Sequence, residues 1–276
     1  PVGGRPIPQM PGTAPGLYCP IGDKVIYAVP GVPYEMREMM QEFILPNLQE
    51  RSGKKAVIRS RVLKTWGNTE SGLAEILAEE INVLDEKGNP TLAFLASGIE
   101  GLKVRITAKA EQENEAEKIL ADEEEKIRNI LGDVIFGIDE QTMESVILDK
   151  LRKDESSLCV AESLTGGVMA SRLTAIDPKM ETFKGGVISQ TCFEGERGIN
   201  RAIYAAKDAK ETTGADVSVA ATLPHPLEEK SKGTVYLGIV IGGQEHTDEV
   251  ALPGDRHRLR NYAVISLMNY CRKLLA

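Results

Sequence analysis

Val160-Ala161-Glu162-Ser163-Leu164-Thr165-Gly166-Gly167 joins an apolar run to a helical one. Leu158 to Ala161 are short and apolar throughout, as in a buried strand, and Val168, Met169, Leu173 and Ile176 recur at helical spacing behind the glycines. A strand-to-helix turn of this kind exposes a side chain at the strand end and aims backbone N–H groups at whatever binds there. Ser163 is its candidate nucleophile and Glu162 its carboxylate. A second reading gives the turn a structural role. Ser163 or Thr165 would cap the helix by accepting backbone hydrogen bonds, and Gly166 and Gly167 would only permit the bend. Taken alone, the octapeptide favours the cap.

Its surroundings, residues 141–276, alternate helix and strand. A helix over Met143–Arg152 precedes the turn, and the 168–176 helix is followed by Gly185-Gly186-Val187-Ile188. A helix near Ala202–Thr212 comes next, then a strand at Val217–Ala221, a strong one at Thr234–Ile241 and its hairpin partner at His246–Ala251. A helix from about His257 to Leu275 closes the segment, and the order predicts a three-layer α/β domain.

Residues 53–140 differ in character. Ala56–Thr65 alternate apolar and basic residues as a half-exposed strand does, and Asn68 or Thr69 can cap a helix carrying Leu73, Ile76, Leu77 and Ile81. Thr91–Ala96 and Leu102–Ala108 read as strands around the turn Ser97-Gly98-Ile99-Glu100-Gly101. A charged helix over Glu111–Leu131 and a short strand at Val134–Phe136 complete a β-α-β-β-α-β split sandwich. The acidic run Glu111–Glu125 reads as a solvated helix face.

In residues 1–52, the Pro/Gly-rich run Pro1–Gly16 reads as loop. Lys24–Val29 form a strand, Pro30-Gly31-Val32-Pro33 a turn, and a helix from Tyr34 carries an apolar face of Met36, Met39, Met40, Phe43 and Ile44, which reads as core packing.

The composition excludes several classes. With 42% hydrophobic and 27% charged residues the chain is an ordinary globular one, and its 276 residues suit two or three domains. A net charge of −8 disfavours nonspecific attraction to nucleic acid. Cys19, Cys159, Cys192 and Cys271 form no CxxC pair, and His225, His246 and His257 are scattered, so neither a disulfide framework nor a metal site is expected. No signal peptide and no membrane-spanning run is evident, which makes the cytoplasm the default location.

Several groups of residues occur in an order that resembles the CinA (competence/damage-inducible protein A) family. Gly12-Thr13-Ala14-Pro15-Gly16, Val29-Pro30-Gly31-Val32-Pro33 and Glu35-Met36 resemble the end of that family's molybdopterin-binding-like α/β domain, and 53–140 resembles its KH-like domain. Ala161-Glu162-Ser163 with Thr165-Gly166-Gly167, then Phe183 with Gly185-Gly186-Val187, then Gly233-Thr234-Val235-Tyr236, then Pro253-Gly254-Asp255-Arg256 with Arg260, resemble its C-terminal amidohydrolase domain.

The resemblance implies hydrolysis of the carboxamide of nicotinamide mononucleotide to nicotinate mononucleotide and ammonia, in pyridine-nucleotide salvage. It implies a homodimer, no metal and no other cofactor. Ser163 would be the nucleophile, with Glu162, Thr165, Gly166, Gly167, Arg256 and Arg260 around the substrate. Backbone N–H groups of Thr165–Gly167 would hold the oxyanion. Arg256 and Arg260 would contact a phosphate or hold the fold. The family's first domain, linked to ADP-ribose pyrophosphate hydrolysis, needs far more residues than 1–52 supply, so that activity is not expected of this chain alone.

The sequence departs from the family where the serine needs help. The tyrosine and lysine that follow the paired glycines in the family are replaced by Ser189-Gln190-Thr191-Cys192-Phe193-Glu194-Gly195. Thr222-Leu223-Pro224-His225-Pro226 stands where a glycine-rich loop belongs, and each proline removes a backbone donor. Either the domain has lost the amidase and kept the fold, or the base has moved to Lys184, Lys207 or His225. The rival class is a catalytically degenerate nucleotide-binding or scaffold protein. RNA binding by the KH-like segment is disfavoured, because Gly98-Ile99-Glu100-Gly101 sets an acid where a phosphate would lie.

Overall fold

Apolar residues at alternate or helical spacing generate most of the elements below. The structure, a computed structural model, describes residues 2–8, 12–53, 56–96, 98–189, 198–223, 233–253 and 256–275. Two units result: residues 1–58 with 109–116, and residues 59–108 with 117–276.

In the first unit, β1 (Arg5–Pro6), β2 (Leu17–Ile21) and β3 (Lys24–Ala28) form an antiparallel sheet in that order. The expected loop over Pro1–Gly16 is therefore part sheet. Arg5 pairs with Tyr18, the Ile7 N–H donates to the Gly16 carbonyl, and Ile7 is fully buried. The helix runs in three pieces: α1 (Pro33–Met39), a π-helical turn (Met40–Ile44) and α2 (Leu45–Ser52). Pro46 explains the wide turn, since its ring has no N–H to give and would crowd the carbonyl four residues earlier. Ile7, Tyr18, Met39 and Ile44 form the core, with Met40 and Phe43 against it.

The second unit holds two sheets. The four-stranded one has the order β5 (Thr91–Ala96), β6 (Leu102–Ala110), β4 (Val57–Thr65), β7 (Ile135–Ile138). The single helix expected after Asn68 is two, α3 (Glu70–Ile76) and α4 (Ala78–Lys87), broken where Leu77 leaves helical geometry at φ −94° and ψ 6°. Thr69 is the cap: its hydroxyl accepts the Gly72 N–H at 3.1 Å. Leu73 and Leu77 are buried, but Ile76 is exposed, so it belongs to no core face. With α5 (Glu113–Leu131), the helices cover one sheet face through Leu63, Val104, Ile106, Leu120 and Ile127. Alternation places Lys64 and Lys103 on the opposite face.

The five-stranded sheet has the order β12 (Gln244–Ala251), β11 (Thr234–Ile241), β10 (Val217–Thr222), β8 (Leu158–Glu162), β9 (Phe183–Ile188). β8 runs parallel to both neighbours, and β10, β11 and β12 are antiparallel. Leu158 and Val160 pack with α6 (Met143–Lys153), α7 (Val168–Ile176) and α9 (Arg256–Leu274). Cys159 and Ala161 pack with α8 (Asn200–Thr213) on the other face. Helices on both faces bury β8 from end to end, which is why it reads as a continuous apolar run. This is the three-layer α/β arrangement expected of 141–276. On the α8 face the approach is close: a Cβ on Gly238 would lie 2.4 Å from the Ala202 carbonyl carbon. No described helix is long and apolar enough to cross a membrane.

Candidate functional site

α7, which follows β8 in the sequence, packs on one face of the sheet, and α8, which follows β9, packs on the other. Adjacent parallel strands whose connections diverge open a crevice at their carboxyl ends, where α/β sheets bind ligands. Glu162–Gly167 and Ile188 stand at that crevice.

Glu162 is 1% exposed. One of its carboxylate oxygens accepts the Gly167 N–H at 2.9 Å and the Met169 N–H at 3.2 Å, and the other accepts the Ala170 N–H at 2.7 Å. The carboxylate thus occupies the positive end of α7 and satisfies its unpaired donors. Glu162 holds the loop.

The same bonds settle the capping question. The N-cap of α7 is Gly167, which has no side-chain cap, so neither Ser163 nor Thr165 performs that role. Gly166 and Gly167 have φ of 58° and 92°, in the left-handed region that glycine adopts at no steric cost. Ser163 is half-buried, and its hydroxyl has no hydrogen-bond partner among the described residues.

The expected oxyanion donors divide. The Gly167 N–H is committed to Glu162, whereas no described residue accepts from the Thr165 or Gly166 N–H. Thr165 is itself 1% exposed, and its carbonyl accepts the Val168 N–H.

Arg260, on α9, does reach the loop. A Cβ built on Gly166 would lie 3.8 Å from its guanidinium carbon, and its Nε is buried with no hydrogen-bond partner among the described residues. Arg256 opens α9, and its side chain lies outside what is described. Of the proposed replacement bases, Lys184 donates to the Glu181 carbonyl at 2.7 Å near the start of β9, the end opposite the crevice. Lys207 pairs with Glu245 at 2.7 Å at the distal end of the β11–β12 hairpin. Neither is at Ser163. His225 and Gln190–Gly195 lie outside the described residues.

Two neighbours escaped the sequence reading. Pairing of Ala221 with Glu162 sets Thr222, the last residue of β10, beside Ser163. Thr222 is fully buried, and its hydroxyl has no partner among the described residues. Ile188 closes the other side, its Cδ1 3.2 Å from a Cβ built on Gly167. Only strand register puts either residue there, and register has no local signature. Among the described residues, no group of three or more His, Cys, Asp or Glu side chains is placed to hold a metal ion.

Comparison with known proteins bears on both modules. A family model described as the damage-inducible protein CinA KH domain matches residues 60–137, and one described as the CinA C-terminal domain matches residues 140–192 and 195–275. A CinA-like protein from Frankia casuarinae is 39% identical, covering 100% of this chain and 68% of the relative. A CinA-like protein from Dictyoglomus thermophilum is 33% identical over 98% of this chain and 69% of its own length. A solved competence or damage-inducible protein from Enterobacter asburiae is 20% identical, covers 50% of this chain and 100% of its own, and superposes with a TM-score of 0.44. With 39% identity over its whole length and family models matching both modules, the chain belongs to the CinA family.

Proposed function

We propose that the chain is a serine-centred amidohydrolase that converts nicotinamide mononucleotide to nicotinate mononucleotide and ammonia. The observation that carries this reading is the division of labour in the loop. Glu162 takes over the capping of α7, which leaves the Ser163 hydroxyl free of any described partner at the mouth of the crevice.

In the proposed reaction, Ser163 Oγ bonds to the carboxamide carbon and the carbonyl π electrons move to oxygen. The Thr165 and Gly166 N–H groups are the free donors for that oxyanion. Its collapse expels ammonia, the serine proton having moved to the leaving nitrogen, and water then cleaves the acyl ester to free the acid and the serine. Arg260 cannot serve as the base, because a guanidinium stays protonated in proteins. It suits the phosphate or the carbonyl oxygen instead.

A second reading, a nucleotide-binding protein without turnover, is favoured by one observation: no described residue accepts a proton from Ser163. Ammonia release from nicotinamide mononucleotide, measured for the wild type and Ser163→Ala beside a calorimetric titration of the same compound, separates the two. Release by the wild type alone supports the amidase. Release that survives the substitution removes Ser163 from the chemistry. Binding without release supports the second reading, and neither binding nor release overturns both.

A further inference from the structure

Away from the crevice, a cavity of about 330 Å³ lies between the open face of the four-stranded sheet and the α6–α7 pair. Lys64 of β4 and Lys103 of β6 reach it from the sheet, and Arg172, Ala175 and Ile176 of α7 form the facing wall. Phe136 and Thr142 contribute as well.

The charges in that wall are unevenly matched. Arg172 is engaged twice, with Glu144 of α6 and with Glu100 at 2.9 Å, so those two acids face their own cation. Lys64 and Lys103 are both half-buried, and neither has an ion pair or hydrogen bond among the described residues. The two lysines come from adjacent strands and line one cavity, so two like charges without a described counter-ion share it, and an anion placed between them would relieve their repulsion. The excess of cation stands out in a chain of net charge −8.

We propose that this cavity is a binding site for a small organic phosphate, its phosphate held between Lys64 and Lys103 and its apolar body against Ala175 and Ile176. The volume lies at the small end of the range for ligand pockets, which suits a phosphomonoester of one ring. Lysine ammonium groups act as point charges toward phosphate and need no fixed fork geometry. The site is separate from Ser163 and does not depend on the amidase reading.

The test uses phenyl phosphate as probe, with inorganic phosphate and phenol as the two half-probes, titrated calorimetrically into the full chain. The expected result is a dissociation constant of about 1 mM or tighter for phenyl phosphate, with weaker binding of each half-probe. Lys64→Gln with Lys103→Gln weakens it by about tenfold or more. Ala175→Phe, which fills the cavity and keeps every charge, also abolishes binding. The site is overturned if the wild type does not bind phenyl phosphate at about 10 mM, ten times the expected constant. It is overturned equally if the lysine pair can be replaced without effect, or if Arg260→Gln removes the binding and so places the probe at the crevice.

Discussion

The Glu162 carboxylate accepts the Ala170 N–H at 2.7 Å, joining the last residue of β8 to the third residue of α7 across the glycine turn. The bond makes the strand end and the helix start one rigid piece, with Ser163 held between them. Replacing Glu162 by Ala leaves three backbone N–H groups without their acceptor. A loss of about 3 kcal/mol in unfolding free energy is expected by urea titration. Glu162→Gln keeps one acceptor oxygen and loses less. Ser163→Ala, by contrast, stays within about 0.5 kcal/mol of wild type, because its hydroxyl supports nothing described. A large destabilisation by Ser163→Ala would contradict the capping assignment.

The two glycines differ in what surrounds them. Gly166→Ala meets only the left-handed backbone penalty of about 1–2 kcal/mol, since a Cβ there lies 3.8 Å from Arg260. Gly167→Ala meets that penalty at φ 92° and a 3.2 Å contact with Ile188 besides. Thermal unfolding should rank Gly167→Ala as the more damaging of the two.

Asp177 ends α7 and organises the turn into β9. It accepts the Thr182 and Phe183 N–H groups at 2.8 Å and the Glu181 N–H at 3.3 Å. Burial by itself would raise its carboxyl, but those donors and Arg152 outweigh it and hold the group below its ordinary 3.8. A depressed folded-state value contributes stability that is complete above the unfolded value and disappears as pH falls through the folded one. Asp177→Asn should therefore cost about 2 kcal/mol at pH 7, and the gap from wild type should close below about pH 4. Denaturant titrations from pH 3 to pH 7, a range that brackets the unfolded carboxylate value, measure the gap directly.

Arg172 neutralises Glu144, whose side chain is 4% exposed, and also reaches Glu100 in the turn between β5 and β6. Arg172→Met strands a buried carboxylate and should lower stability by about 3 kcal/mol. Adding Glu144→Met should restore most of it, because the isolated charge is what costs. If the double variant is no better than the single one, the pair matters through packing instead. Glu100 in this bridge also gives the acid in the Gly98–Gly101 turn a structural partner, Arg172.

Local chemistry alone made much of the molecule legible. Leu158–Ala161, buried on both faces, could only be a central strand, and the 2- and 3.6-residue periodicities located most of the remaining elements. The reading failed where neighbours decide. Arg5–Pro6 became a strand because Leu17–Tyr18 offered a partner, and the helix after Thr69 broke at Leu77. The paired glycines and Ser163 were visible as a possible site, since only a special turn needs Gly166-Gly167 after a strand.

The sequence by itself determined the strand, the glycine turn, the helix behind it and a serine at their junction, because these follow from residue spacing and backbone sterics. The tertiary structure decided which side chain caps α7, that Arg260 stands beside Gly166 while Lys184 and Lys207 do not, and that Thr222 borders Ser163. Those facts depend on strand order and register. Register is set by long-range pairing, which brings together residues that carry no local mark of one another.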